Sequence, residues 1–453
     1  MKIQSRKLVQ LPVLIVLFMA LSLFLQQRVQ ANTTASGISQ IKWDSSIALT
    51  NFTNGASQPV VAAAPNGTDV MVVFTKHQDS GNPPADTDPA YRFSTDNGET
   101  WTSSKVIYNS ASVAPDIHAT YDGGNRPHAV WSDKEQDIFY SRYVSGSWTA
   151  PVALNQLDPS EAFSPRIFAT SSQIIDVVWE QRNTDPPNPN VFDIYHARST
   201  NRGVSWSATT QPIVATTFDA RLPDLFVDGN TIHVVWEEQD VGTFPTYSAD
   251  VFYSVSTNGG SSWSTPEKIS DPDDDNDPSD GDPEDGVAPH IYVVDGRIHV
   301  LFTEQKGDAG DNNQFVHHIS CPLSKNCTVA TNWEADGGIS GQRLGANNNS
   351  PYSVLSTIGY MQDCVFAFYH GTIGGVATAN ELLFGSSSCN NGPWSNRVEL
   401  TTDNVQALRP DVAMQDDRWM YVVYEQVSGS NRQIRFLRNN PEYLLYLPLI
   451  TKP

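Results

Sequence analysis

Seven prolines recur along the chain, each heading a short apolar run, and the residue after each is the first place to look for chemistry. In order these residues are Val60, Asp116, Arg166, Asp224, His290, Tyr352 and Asp411. Carboxylates, an imidazole, a guanidinium and a phenol at one repeated position supply candidate acids, bases and nucleophiles, and groups that position a substrate. Two carboxylates suffice for glycoside hydrolysis, at about 5–5.5 Å apart for retention or about 6.5–9.5 Å for inversion, with one pKa raised by burial. Asp116, Asp224 and Asp411 are therefore the candidate catalytic residues. Arg166, His290 and Tyr352 are candidates for holding a ligand. In five of the units a second run ends in acids (Asp133, Glu180, Glu237, Glu238, Glu304, Glu425), of which Glu180 and Glu237 join the ligand-binding candidates. Tyr247 adds a stacking surface for a sugar. Asp137, Asp193 and Asp250 each open a third run; a residue type repeated at one position points to a bond with a neighbouring loop. The post-proline residues differ from unit to unit, which leaves both a structural and a functional role open for them.

The elements that carry these residues are strands. Each proline triplet begins one strand, and a second follows, rich in Val and aromatics: 70–74, 128–131, 175–179, 232–236, 298–302, 364–368 and 420–424. Runs of this kind, separated by Gly, Pro, Asn and Asp, are strand signals, and no long helical periodicity competes with them. The prolines lie 50 to 66 residues apart. Four antiparallel strands in a unit of that length describe a propeller blade. The fold expected is all-β, a seven-bladed propeller, with six blades as the alternative. The last unit has only three strands, ending at 433–437. The run Ile41–Ile47 resembles the run Trp101–Ile107, so the N-terminal strand is expected to complete the last blade and close the ring. Trp43, Trp101, Trp148, Trp206, Trp263, Trp333 and Trp394 then give one Trp per blade. In this topology the starts of strands one and three and the end of strand two share one face, called here the top.

The turn between strands three and four carries a repeated motif, S-T-(D/N)-x-G-x-(S/T)-W, at 94–101, 199–206 and 256–263. An Asp or Asn side chain can bond the turn's backbone amides, Gly can take positive φ, and Trp can pack back over the turn. The motif resembles the Asp-box (BNR) repeat of sialidases and related propellers, although two copies carry Asn, a degenerate form of that family's pattern. The resemblance implies a ligand on the top face around the central channel, with the Asp-boxes on the opposite face. Sialidases also need an arginine triad, a Tyr–Glu nucleophile pair, an Asp acid/base and an Arg-Ile-Pro signature. Arg221-Leu222-Pro223 superficially matches that signature but falls in the fourth unit, on its blade-start proline. True exo-sialidase activity is accordingly the less favoured reading.

Residues 1–31 read as a signal peptide: Lys2, Arg6 and Lys7, then an apolar run from Leu11 to Leu25, then Val29-Gln30-Ala31. The apolar run is short for a span of about 20 residues. Removing the segment takes away Lys2, Arg6, Lys7 and Arg28 and no acid, so the net charge moves from −22 to −26. Such a chain repels nucleic acid and anionic lipid. Its four cysteines are expected to pair as Cys321–Cys327 and Cys364–Cys389, as suits a secreted protein. The acidic run 271–285 is a solvated loop or a calcium site through Asp273, Asp275 and Asp277, without the EF-hand pattern; no other cofactor is expected. Residues 32–440 form the propeller. The apolar tail 441–453 resembles an ending common on secreted bacterial proteins and is too short to cross a membrane. The reading reached is a secreted propeller that binds carbohydrate on an acidic top face. A glycoside hydrolase using paired top-face carboxylates and an extracellular protein-interaction scaffold are the alternatives.

Overall fold

The computed structural model describes residues 38–440, apart from 79–85, 110–115, 134–136, 156–160, 184–190, 208–211, 214–216, 240–248, 271–284, 307–312, 336–345, 348–355, 372–381, 393, 396–397 and 402–405. The expectations for 1–31, 441–453, Tyr247, Tyr352, Asp273, Asp275 and Asp277 lie outside the described residues.

Seven antiparallel sheets follow one another along the chain, each in simple up-and-down order. Their innermost strands are Ala56–Ala63, Ile117–Tyr121, Ala162–Ala169, Asp219–Asp228, Asp285–Val294, Ser356–Met361 and Gln406–Gln415. Each innermost strand touches the innermost strands of the blades before and after it, and the last touches the first, so the seven form a closed ring. The seventh blade takes its fourth strand from the N-terminus. Ile47 pairs with Phe436, and Trp43 bridges to Asn439. The ring is thereby fastened by hydrogen bonds between the two ends of the propeller, as expected from the unpaired last unit. In the third blade three strands are assigned, and the Ile213 amide bonds the Ile194 carbonyl at 2.6 Å, as Ile107, Leu154 and Ile269 bond strand three in their own blades.

The apolar core lies between blades. Seven hydrophobic clusters occur, each built from two consecutive blades. This follows from the alternation along the strands: one face of a blade meets the blade before it and the other meets the blade after it.

The turn motif supplies a second interlock. In the first blade Ser94 Oγ donates to Asp96 Oδ1 and accepts from the Gly98 amide, and the Thr100 amide donates to Asp96 Oδ1. The Asn copies build the same turn: the Ser205 and Ser262 amides donate to Asn201 and Asn258 Oδ1 at 2.9 Å. Only the direction of one bond changes. Thr100 Oγ1 donates to Asp96, whereas Asn201 and Asn258 Nδ2 donate to Ser205 and Ser262 Oγ. Asn is therefore a full replacement here, and the two copies are not degenerate as turns. Each glycine sits at positive φ and lies against the preceding blade; a Cβ on Gly203 would stand 1.8 Å from Tyr140 Oη. The Trp that ends the motif meets a ring of that same blade edge-on, as in Trp206 on Tyr140 at 4.7 Å and Trp101 on Phe436 at 4.9 Å.

Both expected disulfides are present. Cys364 and Cys389 face each other directly across strands two and three of the sixth blade. Cys321–Cys327 closes the turn after strand three of the fifth blade, where the S-T-(D/N)-x-G motif is missing.

Candidate functional site

The pairing register identifies the residue that each blade places at one common level on its innermost strand. Opposite Val73, Val130, Val178, Val235, Leu301, Ala367 and Val423 stand Val60, His118, Arg166, Asp224, His290, Ile358 and Asp411. Five of these agree with the post-proline count. Two do not: His118 replaces Asp116, and Ile358 replaces Tyr352. The cause is a β-bulge. In the five agreeing blades the register shifts just before the proline, at Gln58, Ser164, Leu222, Ala288 and Arg409, all with positive φ. The paired strands of the second and sixth blades carry no such shift, and the residue after the proline falls short of the level. Counting back from the aromatic that ends strand two would have found His118.

The carboxylates at the ends of strand two have a different task. Glu425 accepts from the Gln58 amide, Glu180 from the Leu222 amide and Glu237 from the Ala288 amide, each at 2.7 Å and each across a blade boundary. All three acids are at least nine-tenths buried. A bulge residue at positive φ costs about 1–2 kcal/mol, and a hydrogen bond to a carboxylate returns about 1.5–3 kcal/mol, so the clamp offsets the strain. In the second blade Ser132 stands where the third, fourth and seventh have Glu. Asp116, beside it, takes over: it accepts from the Ser164 amide at 3.2 Å and from Gln58 Nε2 at 3.0 Å. Glu180, Glu237 and Asp116 are thus engaged in holding blade to blade.

Burial raises the Glu180 carboxyl to about 7, against the opposing pull of Arg221 and the Leu222 amide. Burial likewise raises Glu237. Arg221 Nη1 lies 3.3 Å from Glu180, and its guanidinium covers the Phe192 ring.

The axial level is a mixed-charge ring. His118, Arg166, Asp224, His290 and Asp411 are all half-buried. They interact across the ring as well as along it: His118 with Arg166, Asp224 and His290, and Asp411 with His290 and Arg166. Three of them also tie the next blade. Asp411 Oδ2 accepts from the Val61 amide at 2.8 Å, Asp224 Oδ2 from the Ile291 amide at 3.0 Å, and His118 Nδ1 from the Ile167 amide at 3.4 Å. An amide donor at His118 Nδ1 leaves the proton on Nε2, which makes that nitrogen a hydrogen-bond donor. Burial, reinforced by Arg166, holds His118 down to about 3, so the imidazole is neutral.

The two ring carboxyls part company. Burial pushes Asp411 up to about 6; its neighbours on the ring, Val60 and Ile358, are apolar. Burial acts on Asp224 in the same direction, but His290 Nδ1 at 3.3 Å, Arg166 and the Ile291 amide outweigh it and lower its pKa. Arg166 directs one Nη1 bond to the Pro165 carbonyl at 3.2 Å. Among the described residues no group of three or more His, Cys, Asp or Glu is placed to hold a metal ion.

Three solved structures resemble the chain at very low identity. A Trypanosoma rangeli sialidase is 11% identical, with a TM-score of 0.49, covering 91% of this chain; the chain spans 60% of that protein's length. A protein of unknown function from Dyadobacter fermentans is 13% identical, with a TM-score of 0.50, covering 89% of this chain and 100% of its own. An alpha-L-arabinofuranosidase from Lactobacillus brevis is 11% identical, with a TM-score of 0.40, covering 64% of this chain and 96% of its own. No family model and no curated protein matches the sequence. The likeness to the Dyadobacter fermentans protein concerns the fold alone.

Proposed function

We propose that this is a secreted propeller that binds a glycan at the axial ring formed by His118, Arg166, Asp224, His290 and Asp411. The observation that carries the reading is the ring's division of labour. His118, Asp224 and Asp411 each spend one polar atom on the neighbouring blade. That leaves His118 Nε2–H and Asp224 Oδ1 for a ligand, beside the guanidinium of Arg166. Neutral and charged donors set beside carboxylate acceptors, on strands that cannot shift without opening the ring, suit the hydroxyls of a sugar. Two disulfides fit an oxidising compartment. Calcium at Asp273, Asp275 and Asp277 is an accessory part of the proposal.

A second reading, glycoside hydrolysis, is favoured by the opposite displacement of the two ring carboxyls. Asp411, raised to about 6, suits a general acid; Asp224, kept ionised, suits a base or nucleophile. Asp116 drops out of this pair because its carboxylate is committed to the Ser164 clamp. A glycan array probed with residues 32–453, with calcium and with chelator, followed by product analysis of each hit, separates the readings. Binding without cleavage supports the first. Cleavage abolished by Asp224→Asn supports the second. No binding to any glycan removes both and leaves a protein-interaction scaffold.

A further inference from the structure

We propose that Ser57 and His77 of the first blade form a nucleophile–base pair able to take an acyl group from a carboxylic ester. Ser57 Oγ lies 2.9 Å from His77 Nε2, and His77 Nδ1 lies 3.2 Å from the Asn54 carbonyl oxygen. A carbonyl only accepts, so Nδ1 carries the imidazole proton and Nε2 presents its lone pair to the serine hydroxyl. That is the tautomer a general base needs, and the carbonyl fills the role of the third, orienting group.

The loop before Ser57 is shaped around the ring. The His77 amide bonds the Gly55 carbonyl at 3.1 Å. Gly55 has φ +98°, and a Cβ there would stand 3.3 Å from His77 Nδ1 and 3.0 Å from the Arg432 carbonyl. Both side chains of the pair are half-buried, and Gln78 beside them is exposed.

The propeller does not require this pair. The register equivalents of Ser57 and His77 are Phe163 and Arg182 in the third blade, Arg221 and Gln239 in the fourth, and Leu408 and Val427 in the seventh. A structural device of this fold recurs between blades, as the Glu clamps do; among the described residues Ser57–His77 occurs once. It is separate from the axial ring, where the first blade contributes only Val60.

In the reaction Ser57 Oγ bonds to the acyl carbon and its proton passes to His77 Nε2. The ester C–O bond breaks and the departing alkoxide takes that proton, leaving as the alcohol. Water then adds to the acyl-serine, giving a proton to His77. The C–Oγ bond breaks, the proton returns to Ser57, and the acid is released. No donor is assigned to the oxyanion, so turnover is expected to be slow and the covalent step is the better readout.

The test is labelling of the full chain with a fluorophosphonate probe, read by peptide mass spectrometry, alongside p-nitrophenyl acetate hydrolysis. Ser57 is expected to carry the label, at a rate that rises with pH as the imidazole loses its proton. Ser57→Ala should abolish labelling. His77→Gln should slow it by about 100-fold or more, with melting of both variants confirming the fold. Absence of label on Ser57 in the wild-type chain, or labelling undiminished in folded His77→Gln, overturns the proposal. Ester hydrolysis that survives Ser57→Ala overturns it equally.

Discussion

Replacing Glu180 with Gln separates a structural clamp from a binding carboxylate. Glu180 is 4% exposed and accepts from the Leu222 amide at 2.7 Å. Gln keeps the shape and the acceptor oxygen but cannot ionise. The folded pKa of Glu180 is raised from 4.5 to about 7. The stability attached to this group is therefore fully present below pH 4.5 and is lost as the pH climbs through about 7. Over that interval the wild-type chain gives up about 3 kcal/mol, from the rise in pKa at about 1.4 kcal/mol per unit. Glu180→Gln escapes that loss. The two proteins should be equally stable at pH 4.5, and at pH 8 the variant should be the more stable by up to about 3 kcal/mol. In a unit of roughly 400 residues that is about 3–4 °C in Tm. Arg221, left without its partner, still has Asp219 at 3.7 Å and the Phe192 ring. Glu180→Ala strands the Leu222 amide and should cost about 1–3 kcal/mol at both pH values. The assay is differential scanning calorimetry at pH 4.5 and 8. A Gln variant destabilised equally at both would refute the reasoning, because it would mean the clamp needs the negative charge.

Further expectations follow from the same geometry. Gly203→Ala, at φ +74° with a Cβ 1.8 Å from Tyr140 Oη, should destabilise by more than about 2 kcal/mol in chemical unfolding, whereas Gly146→Ala, with nothing within 4 Å of its Cβ, should show only the smaller backbone cost. Asn201→Asp should leave stability nearly unchanged, since Asp96 makes the same turn; a loss above about 1 kcal/mol would show that the Asn copies differ in kind. Cys364→Ser with Cys389→Ser should lower stability by about 3 kcal/mol, from a loop closed over a separation of 25 residues. For the whole chain, the raised Asp411, Glu180 and Glu238 favour low pH, while Asp122, lowered to about 2 by His128 and turn amides against its burial, favours pH above its ordinary value. His118, His128 and His233, all lowered from their ordinary value by burial, oppose the raised acids by favouring pH above about 6.5, so the two sets largely cancel and calorimetric Tm should differ little between pH 5 and pH 8.

The architecture was legible because its signals are local and repeated. The prolines and one Trp per unit mark every blade, the turn motif marks three of them, and the unpaired seventh unit points to Ile41–Ile47 as its missing strand. The cysteine pairing followed from placing Cys364 and Cys389 on adjacent strands. The site was less legible because its level depends on a bulge. The count from each proline holds where positive φ at Gln58, Ser164, Leu222, Ala288 or Arg409 inserts the extra residue, and fails at His118 and Ile358. The sequence also cannot say which carboxylate is committed to a backbone amide. Glu180 and Glu237 look as available as Asp224 until the blade boundary is seen. Asp116 does a clamp's work only because Ser132 is too short to do it.

Calorimetric binding of the strongest array glycan to the wild-type chain and to Arg166→Ala tests the axial ring most directly. Among the described contacts Arg166 makes one hydrogen bond, from Nη1 to the Pro165 carbonyl, and its remaining interactions are with the ring charges, so melting of the variant is measured alongside to confirm that it folds. The account predicts affinity reduced about tenfold or more, as expected when a charged hydrogen bond worth about 1.5–3 kcal/mol is lost. Unchanged affinity in the folded variant would place the ligand elsewhere and contradict the account.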